Sequence, residues 1–542
     1  MTCAYVQSDL GGERFCGECL FRGNVNSPIA LGRIEGAEPL PEPEAASPPD
    51  PDAAPPAEAA TRAPSETAAS IIERFTDLGN ARRFVARYRG RILYCEKWGR
   101  WFLWDEKRWC EDETLGILSK AASLIRSLYA MAKQIKDEEV RKAFLSHLLR
   151  SESFRSLNAM VSLAKAETAI ARHPDDFDTD QWLLTVENGT VDLRTGKLLP
   201  HNPRRLITKL APVVFDPAAT CPNWLGFLDM IMNRRPRLID FLKRAFGLSL
   251  TGVTSDKAMY ILYGSGGDNG KSTMIDVMQR MLGDYARRTP VETFLKKREG
   301  AIPNDVARLK GARFVWASEN ERGSRLSESL IKEMTGGDKM SARFMRGEFF
   351  EFMPEFKLWF ATNHKPSIRG DQAIWRRLKL IPFDISIPLD QQKARHEVME
   401  MFAAEHSGIL NWAIEGCLEW QRNGLGVPDE VLAATREYEA EQDTFAMFLE
   451  EKCVRVPNAR VSSIALYRAY KGWAEEYGEN PVSHKTFAAL MSERGFRKNR
   501  AGTGITYSGI GLRTEDHYDS GPRPPKAPAQ SFLAHDSEGE EV

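Results

Sequence analysis

The sequence predicts an α/β protein whose core holds a phosphate-binding P-loop, and three apolar runs carry that prediction. The first, Met259-Tyr260-Ile261-Leu262-Tyr263, leads into Gly264-Ser265-Gly266-Gly267-Asp268-Asn269-Gly270-Lys271-Ser272-Thr273. The second, Phe314-Val315-Trp316-Ala317-Ser318, ends in Glu319-Asn320-Glu321. The third, Phe356-Lys357-Leu358-Trp359-Phe360-Ala361-Thr362, ends in Asn363. Each run has the length of a buried strand, and each delivers polar residues at its tip.

Residues 273–282 have helical periodicity, so the order is strand, loop, helix, which is the context a P-loop requires. Glycines let the backbone wrap tightly enough for successive N–H groups to face phosphate oxygens, and a helix N-terminus adds favourable partial charge. Lys271 would reach the β- and γ-phosphates as a point charge, and the Ser272 hydroxyl would ligate Mg²⁺. Five residues separate Gly264 from Gly270, where the usual motif has about four. An ordinary glycine-rich turn ending in Gly-Lys-Ser is the bland alternative. The order of all the parts favours nucleoside triphosphate binding, with Gly264, Gly266, Gly267, Asn269, Gly270, Lys271, Ser272 and Thr273 as its residues.

Size and composition set outer bounds. A chain of 542 residues has room for roughly three or four domains. The net charge of −1 means that any nucleic-acid contact comes from local basic patches rather than a bulk field. Eight cysteines in so long a chain suggest no disulfide framework, and a reducing, cytoplasmic compartment is expected. No run approaches ~20 apolar residues, and Asp9, Glu13 and Arg14 rule against a signal peptide. The expectation is a soluble intracellular protein with no membrane partner.

Along the chain, Cys16-Gly17-Glu18-Cys19 is half a zinc site with no second pair nearby, and cysteines in a tail are the plainer reading. Residues 35–67 are rich in Pro, Ala, Glu, Asp and Ser and predict a flexible linker. Folded structure should resume near Ser70, with a helix capped by Thr76 or Asp77. Trp98-Gly99-Arg100-Trp101-Phe102-Leu103-Trp104, followed by Lys107-Arg108-Trp109, predicts a hairpin with one buried face. The same interleaving of aromatic and basic residues could stack on single-stranded bases. Core packing is the commoner reason for it. Residues 115–171 and 224–250 are helical by periodicity, and Asn188-Gly189 between apolar runs predicts a hairpin.

The second run, some forty residues past the P-loop helix, has the Walker B arrangement. One carboxylate would hold the Mg²⁺ shell and another would orient or deprotonate water. Asn363 at the third tip could hold that water, or simply cap the turn before Lys365-Pro366. Residues 336–348 alternate around Arg346-Gly347 and predict a hairpin with a basic tip. Arg376-Arg377 stand just before a further apolar strand. Near the C-terminus, helices over 443–452, 464–477 and 483–494 precede Arg497, Lys498 and Arg500 and a Gly502-Thr503-Gly504 turn. Helices followed by a basic hairpin predict a winged helix, for DNA or for protein contacts alone.

These residues, in this order, resemble the superfamily 3 helicases, specifically the phage and plasmid primase–helicase group. The match covers 263–273, 316–321, 332–343, 357–366 and 374–383. Segments 76–80, 98–109 and 188–197 look like the poxvirus-primase-like helper region of those proteins. The resemblance implies an AAA+-like ATPase core, an α+β N-terminal helper domain and a C-terminal winged-helix domain. The expected boundaries are a tail and linker over 1–69, the helper over 70–225, the ATPase domain over 226–390 and a helical connector over 391–442. The winged-helix-like domain would fill 443–514, with a disordered tail over 515–542.

The resemblance also implies a ring, usually a homo-hexamer, that hydrolyses ATP with Mg²⁺ and moves along single-stranded or forked DNA in a phage, prophage or plasmid system. Carried over, Lys271 and Ser272 bind phosphates and metal, Glu319 and Glu321 are the Walker B carboxylates with Glu319 on Mg²⁺, and Asn363 is the sensor. Arg377, with Arg376 as the near alternative, is the finger reaching a neighbouring subunit. Lys339, Arg343 and Arg346 would face the channel, while Lys485, Arg497 and Lys498 would meet DNA from the winged helix. A primase domain needs its own metal-binding carboxylates, so priming is expected on a separate primase or polymerase. Three rivals stand beside the helicase: a DNA-dependent loader without processive unwinding, a small-molecule P-loop kinase, and an inactive DNA-binding protein.

Overall fold

A computed structural model describes residues 75–296, 304–319, 324–343, 348–369, 371–477, 480–501 and 504–513, together with a short antiparallel pair, Tyr5–Val6 with Phe15–Cys16. The expected tails, linker and Cys19 otherwise lie outside the described residues.

The chain enters through α1 (Asp77–Tyr88), whose N-cap is Thr76: its hydroxyl accepts the Gly79 N–H at 3.0 Å. Strands β1 (Ile92–Cys95), β2 (Arg100–Trp104) and β3 (Trp109–Glu111) form an antiparallel meander. All four residues of β1 are buried, so this sheet is covered on both faces rather than one. Helices α2 (Gly116–Ala132), α3 (Glu138–Ser151) and α4 (Phe154–Ala164) pack with α1 around Phe84, Leu124, Ile125 and Leu148. The expected helical stretch over 115–171 is therefore broken twice. Asp137 and Ser153 each accept the backbone N–H three residues on, from Val140 and Ser156, and start new helices.

Strands β4 (Leu183–Val186), β5 (Gly189–Asp192) and β6 (Lys197–Leu199) form a second antiparallel meander around the expected Asn188 turn. Helices α5 (Pro222–Ile231) and α6 (Pro236–Leu250) follow. Asn233 and Arg234 between them take positive φ and Pro236 opens α6, which is why one periodic stretch becomes two helices.

The centre is a five-stranded parallel sheet of β7 (Met259–Tyr263), β8 (Ala286–Arg288), β9 (Phe314–Glu319), β12 (Lys357–Thr362) and β13 (Leu378–Pro382), in the order β8-β9-β12-β7-β13. Between β9 and β12 the chain makes α8 (Glu328–Gly336) and the hairpin β10 (Met340–Arg343) with β11 (Phe349–Phe352). A parallel sheet is covered on both faces. Tyr260, Leu262, Phe314, Trp316, Trp359 and Ile381 join one core, whereas Met259, Ile261, Val315, Leu358, Phe360 and Leu380 join the other. Phe246, Trp359 and Tyr260 stack in series at 4.5 and 4.2 Å, fixing α6 on the first face.

Three more helices complete this body: α11 (Arg395–Ala404), α12 (His406–Asn423) and α13 (Asp429–Gln442); α7 (Lys271–Leu282) follows β7, a one-turn helix Asn304–Ala307 lies between β8 and β9, and the short α10 (Gln372–Arg377) precedes β13.

 Helices α6 and α12 cross backbone to backbone: a Cβ on Gly416 would sit 2.0 Å from the Lys243 carbonyl oxygen, and one on Gly247 would sit 2.1 Å from the Cys417 nitrogen. Residues 391–442, expected as a connector, thus supply part of the main core, including Phe402, Trp412 and Cys417. α13 covers the edge strand β13, where the Thr435 hydroxyl accepts the Leu380 N–H at 3.0 Å.

The last part has its own core around Phe448, Leu466, Trp473 and Phe487. It contains α14 (Thr444–Lys452), α15 (Ser463–Glu476) and α16 (His484–Glu493), the last capped by Ser483. Strands β14 (Cys453–Val454) and β18 (Gly511–Leu512) pair, and β15 (Arg460–Ser462), β17 (Gly504–Ser508) and β16 (Lys498–Ala501) form a small antiparallel sheet in that order.

Candidate functional site

Ligands of open parallel sheets bind beyond the carboxyl ends of the strands, where the strand order reverses. Here β7 lies between β12 and β13, and the register aligns their tips. Glu319 pairs with Thr362, Thr362 with Tyr263, and Tyr263 with Pro382, so one row of residues crosses the sheet. The glycine-rich loop, Asn363 and the end of β9 all leave from that row.

The loop is braced on both sides. Gly264 donates to the Thr362 carbonyl at 3.4 Å, Phe383 donates to the Tyr263 carbonyl at 2.7 Å, and Ile387 donates to the Asp268 carbonyl at 2.8 Å. A side chain at Gly264 would meet the Phe383 carbonyl at 2.5 Å. Gly270 has φ +82° and would meet Ile231 at 2.6 Å. Gly266 and Gly267 are exposed and have more space. The sterically obligatory glycines are therefore the two ends of the loop. Asn269 is buried, and its amide donates inward to the Gly266 carbonyl at 2.8 Å, which makes it a brace of the loop.

Gly270 is the N-cap of α7 and supplies no side-chain cap, so the first turn presents backbone N–H groups that no capping side chain satisfies. Lys271, the first residue of that helix, is 5% exposed. Its Nζ donates to the Gly264 carbonyl and to Asn363 Oδ1, both at 2.9 Å. Burial lowers its pKa to about 8. Both acceptors are neutral, and among the described residues no hydrogen bond or ion pair joins this ammonium to a carboxylate. The turn after β12 is capped by Thr362, whose hydroxyl accepts the His364 N–H at 3.0 Å, while Asn363 turns its amide oxygen to Lys271. Ser272 is exposed at the same helix start and Thr273 is half-buried. Glu319 ends β9 in the aligned row, and Glu321 lies outside the described residues.

Arg376 and Arg377 end α10 on the opposite side of the sheet. Leu378, the next residue, pairs with Met259 at the amino end of β7. The length of β7 then separates Arg377 from the loop by roughly 13 Å along the strand. Arg377 is half-buried and donates to Thr335 Oγ1 at 3.2 Å and to the Ala373 carbonyl at 2.8 Å, while Arg376 is exposed. The structure thus brings Lys271 and Asn363 together and keeps the arginines away from them.

Of the basic hairpin, Lys339 is exposed, Arg343 is half-buried with its guanidinium 4.7 Å from the Phe349 ring, and Arg346 lies outside the described residues. Lys485 on α16 and Arg497 and Lys498 at β16 are exposed. Sequence reasoning missed the brace from 383–387, because nothing in that segment's composition marks it as a partner of a loop more than a hundred residues earlier. Among the described residues no group of three or more His, Cys, Asp and Glu could hold a metal ion, and no helix is long and apolar enough to cross a membrane.

Fold and site define a class: an α/β protein with a parallel sheet, a glycine-rich loop leading into a helix, and a buried lysine at that helix start. Comparison with known proteins narrows it. Residues 81–233 match the family described as D5 N terminal like, and residues 262–377 match a family of unknown function, DUF5906. A protein of Acanthamoeba polyphaga mimivirus named "Putative helicase L207/L206" is 25% identical over 69% of this chain and 43% of its own length. "Putative helicase 022R" of Frog virus 3 is 27% identical over 43% of this chain and 26% of its own. "Putative primase C962R" of African swine fever virus is 26% identical over 58% of this chain and 35% of its own. The chain spans less than half the length of these relatives. A solved structure of the NrS-1 C-terminal region overlays with a TM-score of only 0.35, at 10% identity, over 51% of this chain and 64% of that one.

The chain is thus similar over its N-terminal part to the D5 N-terminal-like family, and over longer stretches to viral proteins named putative helicases or primases. The relatives come from eukaryotic viruses, so they lend no support to the phage or plasmid source and bacterial host that the resemblance implied.

Proposed function

We propose that this chain is an ATP-dependent DNA helicase of superfamily 3 type, with an AAA+-like core that hydrolyses ATP, assembles as a ring and moves on single-stranded DNA. The observation that carries the reading is the meeting of Lys271 with Asn363 at the aligned carboxyl ends of β7 and β12. A buried cation held by two neutral oxygens fits a polyphosphate, which would replace those oxygens with charged ones. The uncapped start of α7 fits the same ligand.

In this reading the backbone from Gly264 to Gly270 wraps the β-phosphate, and Lys271 neutralises charge on the β- and γ-oxygens. Ser272 and Glu319 are the residues that would hold Mg²⁺, which would supply further neutralisation of phosphate charge. Asn363, released from Lys271, orients the attacking water. Glu321 is the candidate base. Arg377, or Arg376 beside it, acts on a neighbouring subunit's site, because its own loop lies across the sheet. Lys339, Arg343 and Arg346 grip the strand in the ring channel. The three helices and small sheet at 443–514 serve as a winged helix, with Lys485, Arg497 and Lys498 toward DNA.

The test is ATP hydrolysis by the purified chain with and without single-stranded DNA, beside Lys271→Ala and Arg377→Ala. DNA-stimulated turnover lost in both variants, and partly regained when the two are mixed, supports a ring with a finger in trans. Strand displacement on a forked substrate then separates a helicase from a loader. Turnover that ignores DNA and survives Arg377→Ala would sink the helicase reading and leave an ordinary nucleotide hydrolase.

A further inference from the structure

The tryptophans between 98 and 109 divide in the fold. Trp109 is buried, with Nε1 donating to the Pro203 carbonyl at 2.8 Å, and Trp101 and Trp104 are half-buried against Tyr94 and Trp109. Trp98 instead occupies the turn between β1 and β2 and is 39% exposed. Its ring stacks on Phe177, with centroids 5.5 Å apart and planes 28° from parallel.

Trp98 and Phe177 line a cleft of about 750 Å³, the size of a site for a small ligand rather than a duplex. Arg287 and Arg288 from β8, with Arg308 and Lys310 from the approach to β9, also line it. All four cations are exposed, and among the described residues none has an ion-pair partner. Lys310 stands 5.8 Å over the Trp98 ring, and Arg288 stands 5.0 Å over Trp316. Five carboxylates, Asp175, Asp178, Asp305, Glu351 and Glu355, also line it, and two of them are otherwise engaged. Asp178 accepts from Lys209 at 2.6 Å, and burial pushes the Glu355 carboxyl up toward its neutral form. The cleft opens beside β11, since Glu351 and Met353 belong to its wall and Lys310 also stands 5.8 Å from Phe350.

We infer that this cleft is a second binding site for single-stranded nucleic acid, in which Trp98 stacks on a base and Arg287, Arg308 and Lys310 take the flanking phosphates. An aromatic platform beside unpaired cations is what sequence-tolerant single-strand binding needs, because every base offers a flat face and every nucleotide a phosphate. The inference rests on the DNA reading above and adds a contact outside the ring channel, carried by the N-terminal region at the foot of the hairpin.

The experiment uses the full chain with a non-hydrolysable ATP analogue and fluorescent oligothymidylate, with oligouridylate in parallel. Trp98→Ala should weaken binding roughly 5- to 150-fold, the range for one stacked base, and Trp98→Phe should restore most of it. Arg308→Ala should lower the slope of log affinity against log salt by about one. Strands carrying 5-iodouracil should crosslink to Trp98 or Phe177. Loss on both oligomers marks a site for either sugar, and loss on thymidylate alone marks a DNA site. Unchanged binding in Trp98→Ala and Arg308→Ala, with crosslinks only elsewhere, overturns the inference while DNA-stimulated turnover keeps the helicase reading. A Trp98→Ala loss that phenylalanine does not rescue, without a crosslink, also overturns it. Wild-type protein that neither binds the strands nor responds to them overturns both.

Discussion

Raising the pH should weaken ATP binding through Lys271. Burial holds this ammonium at a pKa of about 8, against 10.5 for a free lysine. The free protein is therefore deprotonated at Lys271 in about a tenth of molecules at pH 7, half at pH 8 and nine-tenths at pH 9. Phosphate oxygens within reach favour the charged form, so binding draws a proton back onto the amine. If only the charged form binds, Kd rises about tenfold from pH 7 to pH 9, and about half a proton is taken up per ATP at pH 8. ATP's own phosphate has released its proton below that range. Calorimetry in buffers of different ionisation enthalpy counts the proton, and a fluorescent ATP analogue follows Kd. A Lys271→Arg variant keeps its charge throughout, so whatever binding it retains should be flat with pH. An affinity that is flat in the wild type, with no proton taken up at pH 8, would refute the idea that this ammonium meets the phosphates. The same shift fixes a sign for stability. Between pH 8 and 10.5 the folded chain holds fewer protons at Lys271 than the unfolded chain, so stability rises with pH there by roughly 3 kcal/mol in all.

Three further outcomes follow from the geometry. Asn363→Asp would place a carboxylate 2.9 Å from the Lys271 ammonium, raise its pKa and compete with phosphate, weakening ATP binding about ten- to a hundredfold in a titration; unchanged affinity would separate Asn363 from the site. Gly416→Ala forces a methyl group against the Lys243 carbonyl, backbone on backbone, so the cost should reach or pass the usual overpacking range of about 1–3 kcal/mol and lower the denaturant midpoint. A midpoint within error of wild type would mean that α6 and α12 do not cross there. Lys357 is buried and donates to the carbonyls of Thr251, Val253 and Glu355, so Lys357→Met strands several acceptors and should cost about 2–4 kcal/mol in the same assay. A stable Lys357→Met chain would show those carbonyls to be satisfied otherwise.

Much of this molecule is written locally. Thr76 and Ser483 cap helices because a hydroxyl one turn before an apolar repeat satisfies the free N–H groups, and that chemistry acts within three residues. The strand, glycine loop and helix around Lys271 are legible for the same reason, as is the pairing around Asn188. Tertiary structure alone decided which tips align. The meeting of Lys271 with Asn363 spans 92 positions and depends on β12, rather than β9, lying beside β7. Periodicity says that a face is apolar but not what covers it. Residues 391–442 therefore read as a connector until Gly416 allowed α12 to close on α6. Trp98, Trp101, Trp104 and Trp109 look alike in sequence, since each is an aromatic residue among basic neighbours. A turn left one of them beside unpaired cations and strands carried the others inward, because burial is set by the neighbours an element finds and not by its own composition.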